Sequence, residues 1–166
     1  MRKRLSTIMA ILVALSMVFI VGPVMAGDSD TQTVNYAVTA INEINIDDNS
    51  VTLTVNSATA GSPPDQASDS STYDITTNVI SPATKKITAS IDSDMPSGLT
   101  LQIDVTAPST GTGGGAKTLS TSAQDVVTAI SAVNEVDISI GYTLDATIAA
   151  GEVSDSKTVT LTIADF

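Results

Sequence analysis

From Val136 to Ile148 apolar and polar residues alternate without a break, and this period of two is what most restricts the folds open to the chain. Successive side chains of an extended strand point to opposite faces, so Val136, Ile138, Ile140, Tyr142, Leu144, Ala146 and Ile148 are expected on one buried face. Asp137, Ser139, Gly141, Thr143, Asp145 and Thr147 then face water. A half-buried strand of an antiparallel sheet reads this way.

Shorter alternations recur along the chain: Val51, Leu53 and Val55; Tyr73, Ile75 and Thr77; Ile87, Ala89 and Ile91; Leu99, Leu101, Ile103 and Val105; Val159, Leu161 and Ile163. Turn formers separate them at Asp47-Asp48-Asn49, Ser81-Pro82, Pro96-Ser97-Gly98 and Ala150-Gly151. With the segment from Val34 to Ile46, the count is about seven or eight strands, which predicts one all-β domain, an antiparallel β-sandwich of immunoglobulin-like or jelly-roll type. Ala123 to Ser131 is the single place for a helical turn, since Ala123, Val126, Val127 and Ile130 fall at helical spacing, although a bend at a strand end accounts for them equally well. Ser57 to Ser71 and Pro108 to Gly115 read as surface loops rather than domain boundaries.

Residues 1–26 form a different kind of segment. Arg2, Lys3 and Arg4 precede an apolar run from Ile8 to Val21, and Gly22-Pro23 and Ala26 follow. This order is that of a secretory signal peptide cleaved after Ala26, and ~14 apolar residues fall short of the roughly 20 that span a bilayer as a helix. The expected organisation is therefore 1–26 signal peptide, 27–40 an arm or first strand, and 41–166 the sandwich. A secreted or cell-surface location follows.

Charge narrows the partners. All 18 Asp and Glu lie beyond residue 26, where only Lys85, Lys86, Lys117 and Lys157 are basic, so the mature net charge is 4 − 18 = −14. Such a field repels phosphate backbones and anionic lipid heads, and neither nucleic acid nor membrane is expected as a partner after signal cleavage. The chain has no Cys, so disulfides cannot contribute to its stability.

Catalytic readings find little support. His and Cys are absent and Arg is confined to the leader, which removes the commonest general base, the thiol nucleophile and the bidentate anion clamp. Gly111 to Thr118 nearly matches a phosphate-binding loop, but Ala116 stands where the glycine before the lysine belongs and no long helix follows. Ser154 and Lys157 have the S-x-x-K spacing of serine acylases without the companion motifs. Asp92 with Asp94, and Asp47 with Asp48, have the clustered oxygens that a glycosidase or a Ca²⁺ site needs, yet the same residues make tight turns. No catalytic residue, metal ligand or cofactor is assigned, and the chain is not expected to be an enzyme.

The segment after the leader carries the sharpest expectation. Val34, Tyr36, Val38 and Ala40 alternate before Ile41 breaks the register, and Ile44 and Ile46 resume it. One reading is a first strand with a bulge near Ala40 and Ile41. The other is a donor strand that leaves its own domain and completes the sheet of the next copy, giving a homo-polymer by N-terminal strand exchange.

The stretch from Ile140 through Tyr142, Gly151 and Asp155 to Ile163 resembles the C-terminal hairpin of spore-coat-U-like secreted pilin proteins, with a Tyr-led strand, an Ala-Gly turn, an Asp and a final Thr/Val alternation. Leu119 to Ile130 is similar to segments of fimbrial subunits. The resemblance implies an immunoglobulin-like sandwich exported to the surface and built into fibres by donor strands. The cysteines common in that family are absent here, and no catalytic or ligand-binding residue carries over. The expected function is an extracellular structural subunit of a filament or surface coat. The alternative is a monomeric secreted adhesive or binding module, with Ca²⁺ as its candidate ligand.

Overall fold

A computed structural model describes residues 28–48 and 50–166. The signal-peptide reading, and Gly27 at the start of the arm, lie outside the described residues. The chain divides after Ala37, and Val38–Phe166 forms one compact unit.

That unit is all-β, built from two antiparallel sheets. Its strands are β1 (Asn42–Ile46), β2 (Ala67–Thr77), β3 (Lys85–Ile91), β4 (Leu99–Val105), β5 (Thr112–Gly113), β6 (Lys117–Thr118), β7 (Gln124–Ile130), β8 (Val133–Ala146) and β9 (Val159–Asp165). The larger sheet has the order β1-β2-β8-β4-β6 and the smaller β5-β7-β3-β9. The chain passes between the sheets repeatedly, so neighbours in a sheet come from distant stretches of sequence.

The core lies between the sheets and follows the predicted alternation. Tyr73, Ile75 and Thr77 of β2, Ile87, Ala89 and Ile91 of β3, Leu101, Ile103 and Val105 of β4, and Leu161 of β9 are all buried. Each large apolar side chain taken from water contributes ~1.5–3 kcal/mol before ordering costs. Tyr73 is wholly buried, and its hydroxyl donates to the Thr106 carbonyl oxygen at 2.8 Å, tying β2 to the end of β4.

Several elements differ from the sequence reading, each for a local reason. Val136 and Ile148, expected inside, are 68% and 87% exposed. Around Asp137, whose φ is 56°, the β2–β8 register slips between Tyr73 and Ile75, so the faces exchange and Val133 turns inward in place of Val136. Ile148 belongs to a 3₁₀ turn, Ile148–Ala150, after β8 has ended. Ala123 to Ser131 holds a strand and not a helical turn. β7 is irregularly paired with β3, and consecutive Val126 and Val127 are both fully buried, which imitates helical spacing. Of the loop expected from Ser57 to Ser71, the last five residues, Ala67–Ser71, begin β2. β5 lies within the loop expected at Pro108 to Gly115.

Val51, Leu53 and Val55 alternate with exposed neighbours as expected, but the segment joins neither sheet.

Candidate functional site

The alternating residues ahead of β1 lie outside both sheets. Val34 is 74%, Tyr36 92% and Val38 81% exposed, Ala40 is exposed too, and no described residue before Asn42 is in a strand. The first strand is therefore confined to β1, which pairs with β2 without a bulge and whose Ile44 and Ile46 are half-buried against the core. Asn78 fixes the point where the arm begins. Its Nδ2 donates to the Thr39 carbonyl at 2.8 Å, and its Oδ1 accepts from the Ile41 amide at 2.8 Å.

At the opposite end of β1 the sandwich is open along one side. β1 and β9 are the outer strands of their sheets and lie near each other. Past Ile46 the chain continues in the same direction as Ser50–Ala58, running alongside the approach to β2: the Thr52 amide donates to an Asp69 carboxylate oxygen at 3.1 Å, and the Asp65 amide to the Ser57 carbonyl at 2.8 Å. Among the described residues, no main-chain hydrogen bond joins Val51–Asn56 to a neighbouring strand. Facing it is the approach to β9, residues 152–157, whose main chain is likewise free of any ladder.

Between these two segments lie adjoining clefts of about 680 and 540 Å³. Leu53, Met95 and Leu144 line both, while Leu101, Tyr142 and Val159 floor the end nearer β1. The Ser71 hydroxyl is buried at that end without a hydrogen-bond partner of ordinary geometry, although its nearness opposes the rise that burial imposes on the Tyr142 phenol. On the far wall Lys157 bonds Asp155 at 2.8 Å and Ser93 Oγ at 3.0 Å, and this contact holds the Asp155 carboxyl below the usual carboxylate range.

The other residues singled out by sequence serve the local structure. Asp92 accepts from the Thr158 amide at 3.1 Å and Asp94 from Thr121 Oγ1 at 3.4 Å, so both tie loops together. Lys157 is bonded away from Ser154, and Gly111 to Thr118 leads into β6, not into a helix. One acidic grouping was hidden from sequence: Asp47, Asp74 and Asp137 place carboxylate oxygens within 4.8 Å of one another on the outer face of the larger sheet. Thr72 Oγ1 donates to Asp47 at 2.6 Å, and the Asp137 amide to Asp74 at 3.0 Å. Only the pairing of β1, β2 and β8 brings them together.

Comparison with protein-family models, with curated proteins and with solved structures finds no match to this chain.

Proposed function

We propose that the mature chain is an extracellular structural subunit that assembles head to tail into filaments or a surface coat by β-strand addition, with Val34, Tyr36, Val38 and Ala40 as the donor face. The observation that carries this reading is the arm itself: a regular apolar alternation that stands exposed and outside both sheets. An alternating segment of this kind is only half of a folded arrangement, since one of its faces is apolar and has nothing to cover it. Adding it to another copy buries Val34, Tyr36 and Val38, each contributing ~1.5–3 kcal/mol before the cost of ordering the arm. Main-chain hydrogen bonds along the added strand supply further affinity. A leader of secretory type and the resemblance of Ile140 to Ile163 to secreted pilins agree with this role.

Electron microscopy of residues 27–166 beside the form lacking residues 27–40 tests it. Filaments in the first and compact monomers in the second are expected. Filaments from the shortened form refute the arm as donor, and monomers from both move the protein to the class of secreted binding modules.

A further inference from the structure

The strand-addition reading leaves open where on the molecule a donor would be received. We propose that the acceptor is the open seam between Val51–Asn56 and residues 152–157, and that its occupant is Thr31–Val38 of a second copy of this chain. This inference rests on that reading and gives it a site.

Three observations converge on the seam. First, both walls, among the described residues, carry main-chain groups with no ladder partner, which is what an incoming strand requires. Second, Leu53, Leu144 and Met95 are shared by both clefts, beside the polar Asp155 and Lys157, so alternate side chains of a docked strand find apolar surface to cover. Third, the arm is long enough: Thr31–Val38 extends ~26 Å at about 3.3 Å per residue, and the six residues of each wall, Val51–Asn56 and 152–157, no more than ~20 Å.

The position of the arm's root selects a second copy as the occupant. Asn78 pins Thr39 and Ile41 beside the first residue of β1, whereas the seam begins beyond its last residue, Ile46. The strand between them spans about 17 Å. Val38, bonded directly to the pinned Thr39, cannot cross that distance; a chain's own arm brings at most its distal residues to the near end of the seam, so Thr31–Val38 docked along its whole length comes from another molecule. Root and seam lie at opposite ends of β1, so the contact is heterologous and extends into a filament wherever the rotation between successive copies does not close a ring. Charge permits the approach: Thr31 to Asn42 contains no Asp, Glu, Lys or Arg, so within this stretch an acidic seam wall meets no like charge.

Because the chain has no Cys, disulfide trapping reads this contact directly. Full mature chains carrying a single cysteine in the arm (Thr33→Cys, Asn35→Cys or Ala37→Cys) are mixed with chains carrying one in the seam (Thr54→Cys, Asn56→Cys or Ser156→Cys). A control partner carries Thr112→Cys on β5, an edge remote from the seam. Oxidation is followed by non-reducing electrophoresis, and assembly by microscopy of the same samples.

The expected result is a band of two-chain mass for at least one arm–seam pairing and none with the control. Filaments whose arms cross-link to Thr112→Cys, or to neither site, overturn the seam as acceptor while leaving strand addition in place. Absence of both filaments and cross-links overturns strand addition and the seam with it. A chain carrying both Asn35→Cys and Thr54→Cys that closes on itself as a monomer at high dilution overturns the second copy as occupant.

Discussion

Tyr73 shows at residue scale how one side chain links the core to the pH range of the fold. Burial, and after it the charge of Glu135, raises its phenol above the ordinary 10.0, and burial raises Tyr142 in the same direction. A group whose folded pKa is raised keeps its proton in the native state after the unfolded chain has lost it. The stability it contributes is whole below pH 10.0 and declines as pH climbs beyond that value. Denaturant titrations across the alkaline range should show this decline. Tyr73→Phe should lose ~0.5–1.5 kcal/mol at neutral pH, because the Thr106 carbonyl loses its donor, and its stability should fall less steeply at alkaline pH. An unchanged alkaline slope in that variant would place the titration elsewhere.

At the scale of elements, the seam depends on how its far wall is set, and Gly98 governs that. With φ 82° it occupies the left-handed region, and a Cβ there would sit 2.5 Å from the Ala150 amide nitrogen. Its carbonyl accepts from the Thr147 amide at 2.8 Å, anchoring the Ile148–Ala150 turn from which residues 152–157 depart. Gly98→Ala should therefore destabilise by more than ~1 kcal/mol in thermal or urea unfolding, since the neighbour is rigid backbone. A neutral effect would mean that the turn shifts freely. The strands themselves were legible in sequence wherever period two continued undisturbed, as in β3, β4 and β9. What sequence concealed arose from interruptions of that period and from pairing. The slip at Asp137 reversed the faces of β8, and the adjacent buried valines of β7 looked helical. The arm proposed as donor was legible as an alternation. The seam was not, because the pattern at Val51, Leu53 and Val55 is that of a strand and nothing in a pattern reports that its main chain goes unpaired. The grouping of Asp47, Asp74 and Asp137 was hidden for the same reason, since register between distant strands creates it.

For the whole molecule, charge acts against the proposed assembly. Beyond residue 26 the chain carries 4 − 18 = −14 charges, so copies repel at every approach. The proposed contact itself is made by an uncharged stretch, Thr31 to Asn42, against an apolar floor, and Lys157 on the wall is already paired with Asp155. Salt then has little attraction to screen and a large repulsion to remove. The Debye length shrinks from about 30 Å at 0.01 M to about 10 Å at 0.1 M, which is shorter than the width of such a sandwich. Light scattering of residues 27–166 should accordingly show assembly becoming faster across that range, while the form lacking residues 27–40 stays monomeric at both ends of it. Docking driven by opposite charges would give the reverse order, with salt slowing growth. Slower growth in salt would thus show that an ionic contact between copies controls assembly and that burial of the neutral arm does not.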